Sequence, residues 1–344
     1  MLPTTFMEEV LENKILLAHG SGGKLAHELV ERSFVKALAN PLLAKLDDSA
    51  VFDFRGRLAF TTDSYVVSPI FFPGGDIGKL AVYGTVNDLA MSGAKPLYLS
   101  LSFIIEEGLS LGELNEIVGS VQKAAQEAEV KIVTGDTKVV SRGSADKLFI
   151  NTAGVGIIPE GVNISGSNAR PGDKLILSGT IGDHGIAVLS QREGLSFSTQ
   201  LESDCAPLGS LVAEILEVSP NIHCLRDPTR GGLATTLNEL AKQSQVSIRI
   251  EEEKVPVREE VLAACEMLGF DPLYVANEGK LVAIVPDGDA DKILKAMREN
   301  HYGKGAAIIG EVRAEHLGRV IMKTCLGASR IVDMLVGDLL PRIC

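Results

Sequence analysis

Aspartates recur in this sequence beside Thr, Ser and Asn, at the ends of apolar segments. DDSAVF holds Asp47 and Asp48, TTDSYV holds Asp63, VNDLAMSGA holds Asn87 and Asp88, and TGDTKVV holds Asp136. Such residues are what magnesium and its waters need to bridge nucleotide phosphates. A lone aspartate at a strand end is ordinarily a turn former, but four such sites in one half of a chain weigh toward a metal–phosphate site. AHGSGGKL sets Gly20, Ser21, Gly22, Gly23 and Lys24 ahead of a helical run, LAHELVERSFVKAL. Converging backbone N–H groups, a helix N-terminus and a lysine suit an anion. The GxxxxGK[ST] spacing of a Walker loop is absent, and a flexible glycine turn accounts for the residues equally well.

Three further stretches complete the chemical inventory. RDPTRGGLATTLNELA is a capped helix start that also puts Arg230 where it could reach an anion. In VANEGKLVAIV, Glu278 stands between a small-residue turn and an apolar strand. A carboxylate there is ordinarily a solvated turn residue; at a domain interface it would be a candidate general base. The chain ends LPRIC, with Cys344 last. A thiol at a chain end is exposed to oxidation, so its position asks for a reason. Pro341 favours extended backbone at Leu340, Arg342 could steer the end toward an acidic surface, and a dozen extended residues reach about 40 Å. Cys344 therefore reads as a tethered reactive group.

The elements that must position these residues alternate along the chain. Strand signals cover residues 57–67, 96–106, 131–140 and a run from Leu148, with helical periodicity over residues 76–94 and 110–130. In the second of these helices Leu111, Leu114, Ile117, Val118 and Val121 share a face. The polar, Gly/Pro-rich stretch from Ile158 to Lys174 reads as a join between domains. Beyond it, DKLILSG, VSIRIEEEKVPV, KLVAIVPDG and GAAIIGEV read as strands, and LGSLVAEILEV, RGGLATTLNELAKQS, REEVLAACEMLGF and ADKILKAMREN as helices. The expected fold class is α+β in two domains, 1–158 and 170–325, with a flexible tail over 326–344.

Composition bounds the alternatives. The chain has 344 residues and a formal charge of −12, which opposes nucleic-acid phosphates in the absence of a basic cluster. There is no tryptophan and little aromatic content for base stacking. No apolar run approaches the roughly 20 residues of a membrane helix, and the first residues lack the pattern of a signal peptide. Cys205, Cys224, Cys265, Cys325 and Cys344 are odd in number and form no CxxC. Neither a disulfide framework nor a zinc site is expected, and the first four read as inert core thiols in a reducing cytoplasm.

Taken together, HGSGGK, DDSAVF, TTDSYVV, GTVNDLAMSGA, TGDTKVV, DPTRGGLATTLNELA and NEGKLVAIV resemble the motif set of the aminoimidazole-ribotide-synthetase-like (PurM) superfamily. The terminal PRIC resembles that of its hydrogenase-maturation branch, the HypE family. The resemblance spans essentially the whole chain. It implies an N-terminal domain that pairs with its twin through a shared β-barrel in a homodimer, with ATP and Mg2+ between the domains. It assigns Asp48, Asp63, Asp88 and Asp136 to the metal. Gly20, Ser21, Gly22, Gly23, Lys24, Thr62, Asn87 and Thr137 are assigned to the nucleotide. In that family the terminal cysteine accepts a carbamoyl group from HypF, ATP drives its dehydration to a thiocyanate, and the cyanide passes to iron on HypC–HypD. Glu278 is then the candidate base, with Lys138 and Arg230 stabilising negative charge. Selenophosphate and thiamine-phosphate enzymes are the rivals within the superfamily; the first expects a cysteine near the glycine loop, where this chain has none. A non-catalytic carrier is the rival outside enzymology.

Overall fold

The computed structural model describes residues 14–20, 23–46, 49–194, 201–337 and 343. The first domain is built on a four-stranded sheet. Its strands are β1 (Arg57–Tyr65), β2 (Lys95–Glu106), β3 (Lys131–Val140) and β4 (Leu148–Ile158), in the order β1-β4-β2-β3. The pairs are antiparallel except β2–β3, whose parallel pairing requires a crossover. That crossover is α2 (Leu111–Glu127), which begins at a Ser110/Glu113 capping box and buries Leu114, Ile117, Val118 and Val121. One face of the sheet is covered. The other is not: on β1 the outward residues Leu58 and Phe60 are 50% and 71% exposed.

The helix α1 (Ile77–Met91) precedes β2 and is buried nearly all round, as expected of a helix held between two cores rather than on one. Asp76 caps it by accepting from the Gly78 and Lys79 amides. Its last turn joins the second domain: Ala90 and Met91 pack with Leu208, Leu211 and Ile215.

The second domain holds a seven-stranded sheet. Its strands are β5 (Lys174–Leu177), β6 (Cys224–Arg226), β7 (Ser247–Glu251), β8 (Val282–Val285), β9 (Ala307–Arg313), β10 (Val320–Lys323) and β11 (Ser329–Val332), in the order β11-β10-β7-β9-β5-β8-β6. Only β10–β7 is parallel. The period-2 alternation of strands sends Leu175, Leu177, Val282 and Ile284 into one core and Ile176, Ala283 and Val285 into another. Helix α5 (Gly232–Ser244) covers the first face, and α4 (Gly209–Val218) and α7 (Asp287–Glu299) cover the second. Helix α3 (Asp183–Glu193) packs with α6 (Glu259–Leu268) beside the sheet.

Three expectations need correction. Residues 329–332, expected in the tail, form β11, because Val332 has a dry place in the core. Helix α3 has no counterpart among the expected elements. Cys325 is exposed at the β10–β11 turn, not in a core; Cys205, Cys224 and Cys265 are buried.

The two domains are pinned together at Asn87, which is 1% exposed. Its Nδ2 donates to the carbonyls of Ala206 and Glu278, at 3.0 and 3.2 Å, and its Oδ1 accepts from the Leu208 amide at 2.8 Å. Asn87→Ala leaves three backbone groups without this partner. The expected loss is about 3–9 kcal/mol of unfolding free energy, at about 1–3 kcal/mol for each of the three stranded buried groups. Denaturant unfolding measures it, and a loss below about 0.5 kcal/mol, the size of an ordinary surface substitution, would contradict the pinning role.

Candidate active site

The cleft between the domains is a cavity of about 670 Å³, a size typical of small-molecule sites. Asp88 enters it from α1, and Asp227, Arg230 and Thr235 from the loop and helix after β6. Asp63 on β1 borders it, with its Oδ1 3.8 Å from an Arg230 nitrogen. Asp88 accepts from Thr61 at 2.9 Å. Burial raises the Asp88 carboxyl, and neighbouring Asp63 raises it further. Burial and then Asp88 do the same to Asp227. Thr235 Oγ1 is buried with no hydrogen-bond partner.

Glu278 is the deepest acid of this group, 3% exposed, with Oε1 lacking any hydrogen-bond partner. Burial pushes its carboxyl well above the usual range, and Asp227, Asp204 and Asp63 push the same way against Arg230. Its backbone is fixed on both sides. Its amide donates to Asp204 Oδ1 at 3.0 Å, and its carbonyl accepts from Asn87. The next residue has to be glycine: a Cβ on Gly279 would lie 1.8 Å from the Asp204 carbonyl oxygen. The preceding one, Asn277, ties two other parts of the site together. It accepts from the Gly182 amide at 2.7 Å and donates to the Pro228 carbonyl at 2.8 Å.

Crowded, desolvated carboxylates with little cationic compensation fit a divalent cation that brings its own charge. Among the described residues no three His, Cys, Asp or Glu side chains converge on one ion.

The remaining expected residues are distributed differently. Asp136, Thr137, Lys138 and Gly20 line a second, more apolar cavity of about 350 Å³ against the helical segment 24–38. Asp63 pairs with Thr152, Thr152 with Leu101, and Leu101 with Gly135. Asp136 is thus three strand spacings from Asp63, about 14 Å along the sheet. The two do not share an ion within one subunit. Lys138 is ion-paired with Asp136 at 2.8 Å on this opposite edge, away from Glu278. Gly20 abuts β3, where a Cβ would come 2.6 Å from the Val139 amide nitrogen. Lys24 is exposed and 3.8 Å from Glu28. Thr62 donates to the Thr152 carbonyl. The Asn87 amide, expected at the nucleotide, is taken up by the backbone bonds described above. Ser21, Gly22, Asp47, Asp48 and Cys344 lie outside the described residues.

Ile343 is described, and its place is informative. It is 3% exposed and belongs to the first-domain core cluster, whose second-domain members are Val188, Cys205 and Ala276. Its carbonyl oxygen lies 3.0 Å from His184 Nε2. Ala276 is two residues from Glu278, and Cys205 lies within that acid's electrostatic reach. Burying the isoleucine side chain contributes about 1.5–3 kcal/mol and the hydrogen bond about 0.5–1.5 kcal/mol. Roughly 1–2 kcal/mol of entropy opposes them for each residue that docking orders.

Asp227, His184 and Asn277 were not anticipated. The Asp–Pro pair reads as a turn, and GDHGIAVL (residues 182–189) held the only signal for His184: a titratable residue between glycines, opening an apolar run.

Family comparisons match the two halves separately. Residues 46–158 match the N-terminal domain of AIR synthase related proteins, and residues 170–323 the C-terminal domain. The chain is 54% identical over 337 residues to the carbamoyl dehydratase HypE of Azotobacter vinelandii, covering 98% of this chain and 99% of the relative. A crystal structure of hydrogenase maturation protein HypE in complex with ATP superposes with a TM-score of 0.93 at 54% identity, covering 96% of this chain and 99% of that one. The structure of a HypE–HypF complex matches with a TM-score of 0.79 at 52% identity, over 89% of this chain and 99% of that one.

The buried acid yields a stability test. Glu278 titrates higher folded than unfolded, so the folded state holds a proton that the unfolded chain releases above about pH 4.3. Stability therefore falls as pH rises from there. Glu278→Gln is expected to raise the melting temperature by a few degrees at pH 7 and by less at pH 4.5. An equal change at both pH values would contradict a buried carboxyl whose affinity for a proton is raised.

Proposed function

Because this chain belongs to the AIR synthase related family, and within it to the carbamoyl dehydratase HypE group, we propose that it uses ATP to dehydrate an S-carbamoyl group on its own Cys344. The product is a thiocyanate that supplies cyanide for the iron of a [NiFe]-hydrogenase. One observation carries the reading for this chain: residue 343 is buried in the subunit's own core with Val188, Cys205 and Ala276, the last of which stands two residues before Glu278 in sequence, and is bound to His184. Cys344 is one peptide bond further on.

The carbamoyl oxygen attacks the γ-phosphorus of ATP, and ADP leaves. The oxygen, a poor leaving group, is now a phosphate ester of an imidate. Loss of the N–H proton and departure of phosphate then form C≡N. The net change converts a carboxamide and ATP into a cyanide, ADP, phosphate and a proton. In its ionised form Glu278 would be the base that takes the N–H proton; its raised affinity for a proton favours that transfer. Arg230 lines the cleft and would offset negative charge as phosphate groups part. Asp63, Asp88 and Asp227, which do not converge on one point, would hold magnesium singly or in pairs, partly through its waters. When bound, magnesium supplies positive charge that offsets both the carboxylates and the phosphates.

Asp136 and Lys138 lie too far from this cleft to serve it within one subunit. A homodimer joined through the uncovered face and edges of the first sheet gives them a route to a second copy's site. The exposed Leu58 and Phe60 on that face support such pairing. HypF is the proposed carbamoyl donor, in keeping with the HypE–HypF complex of a relative. The HypC–HypD pair is the proposed cyanide acceptor, and the cytoplasm the compartment.

Intact mass after incubation with HypF, carbamoyl phosphate and ATP tests the chemistry. The expectation is a gain of one carbamoyl group on Cys344, followed by loss of one water. Carbamoylation without water loss would leave a carrier. Phe60→Asp is expected to convert a dimer to a monomer in light scattering; an unchanged mass would remove the sheet face from the interface.

A further inference from the structure

We propose that His184 is a positioning residue for this reaction: it donates its Nε2–H to the Ile343 carbonyl and so latches the backbone one peptide bond before Cys344. The proposal rests on the reading of Cys344 as the reacting group, and the experiment below separates the two.

The geometry fixes the direction of each hydrogen bond. A carbonyl oxygen can only accept, so Nε2, 3.0 Å from it, carries the proton. The opposite nitrogen, Nδ1, lies 2.8 Å from Ser203 Oγ. That oxygen already accepts from the Cys205 amide at 3.1 Å. In the neutral ring Nδ1 must accept, so the Ser203 hydroxyl donates to it. Burial favours this neutral form by lowering the imidazole's affinity for a proton. Ser203 is itself anchored, its amide donating to the Pro73 carbonyl at 2.8 Å. Phe72 stands edge-on to the ring at 5.5 Å, with an interplanar angle of 89°. Helix α3, which carries His184, is fixed through Gly182 to Asn277.

The plainer reading is a satisfied core histidine. Such a residue takes its partners from permanent neighbours. His184 does so on one side only, with Ser203; its other nitrogen is paired by the next-to-last residue of the chain. When that residue leaves, a fully buried N–H loses its partner, so the arrangement favours return. The contact is to backbone, so it orients the chain without touching the Cys344 side chain.

The test uses the full-length protein and three variants. His184→Gln keeps a donor near the Nε2 position. His184→Asn keeps only one near Nδ1. Ser203→Ala keeps the ring and removes the hydroxyl that sets its tautomer. Two rates are read: alkylation of Cys344 by iodoacetamide, followed on its own peptide by mass spectrometry, and water loss from the carbamoylated chain. His184→Asn is expected to raise the first and lower the second by about three- to tenfold, the worth of one hydrogen bond. Ser203→Ala should lie between it and the parent, and His184→Gln within about twofold of the parent, a difference of only about 0.4 kcal/mol. ATP affinity should be unchanged. If His184→Asn fails to fold, the order of Ser203→Ala, His184→Gln and parent still decides. Equal rates in all variants would overturn the latch, as would equal losses in His184→Gln and His184→Asn. Water loss by the parent with alkylation indifferent to His184 would sink the latch and keep the proposed function. The reverse pattern, alkylation that follows His184 with no water loss in any chain, would keep the latch and sink the function.

Discussion

Asn87 joins the two domains with one amide. Three hydrogen bonds from a buried side chain on α1 reach the backbone on both flanks of the cleft, at Ala206, Leu208 and Glu278. A primary amide can satisfy such a set because it offers two donors and an acceptor in one plane. The rest of the site follows from that constraint. Glu278 is held from below by Asn87 and from beside by Asp204, so its carboxyl is buried behind the cleft on a backbone that cannot swing. Asp88, the neighbour of Asn87 on α1, then has a fixed separation from the loop that carries Asp227 and Arg230.

The electrostatics of the cleft depend on this rigidity. Flexible carboxylates would turn outward into water and titrate normally. Here the backbone holds them inside, and burial raises Asp88, Asp227 and Glu278 above their ordinary ranges. A chain of net charge −12 therefore keeps a largely uncompensated acidic cleft, with Arg226 and Arg230 its nearest cationic groups. Such a cleft favours ligands that arrive with cations.

Much of this was legible in the sequence, for physical reasons that also mark the limits. The strands and helices of the first domain show themselves through local periodicity, and their bounds agree within a few residues. The Asp63, Asp88, Arg230 and Glu278 stretches stand out because each sets a charged side chain at the edge of an apolar run. What local pattern cannot carry is partnership across the chain. Asn87 reads as one more polar residue near an aspartate until Ala206 and Glu278 are seen beside it. The separation of Asp136 and Lys138 from Asp63 follows from strand order, which no single motif contains. Strand β11 was hidden because SRIV is short and follows a glycine turn, and its pairing with β10 is a tertiary fact. His184 sits where Gly182 breaks the helical signal, and its partners are 19 and 159 residues away.

The contact between His184 and Ile343 has one more consequence. It holds a main-chain carbonyl, which is the same whether the next residue carries a thiol, a carboxamide or a cyanide. Docking of this kind is blind to the state of its cargo. It cannot sort loaded ends from empty ones or push the cycle forward. Direction has to come from elsewhere: from the irreversibility of nucleotide cleavage inside the cleft, and from the selectivity of whatever meets the chain end outside it.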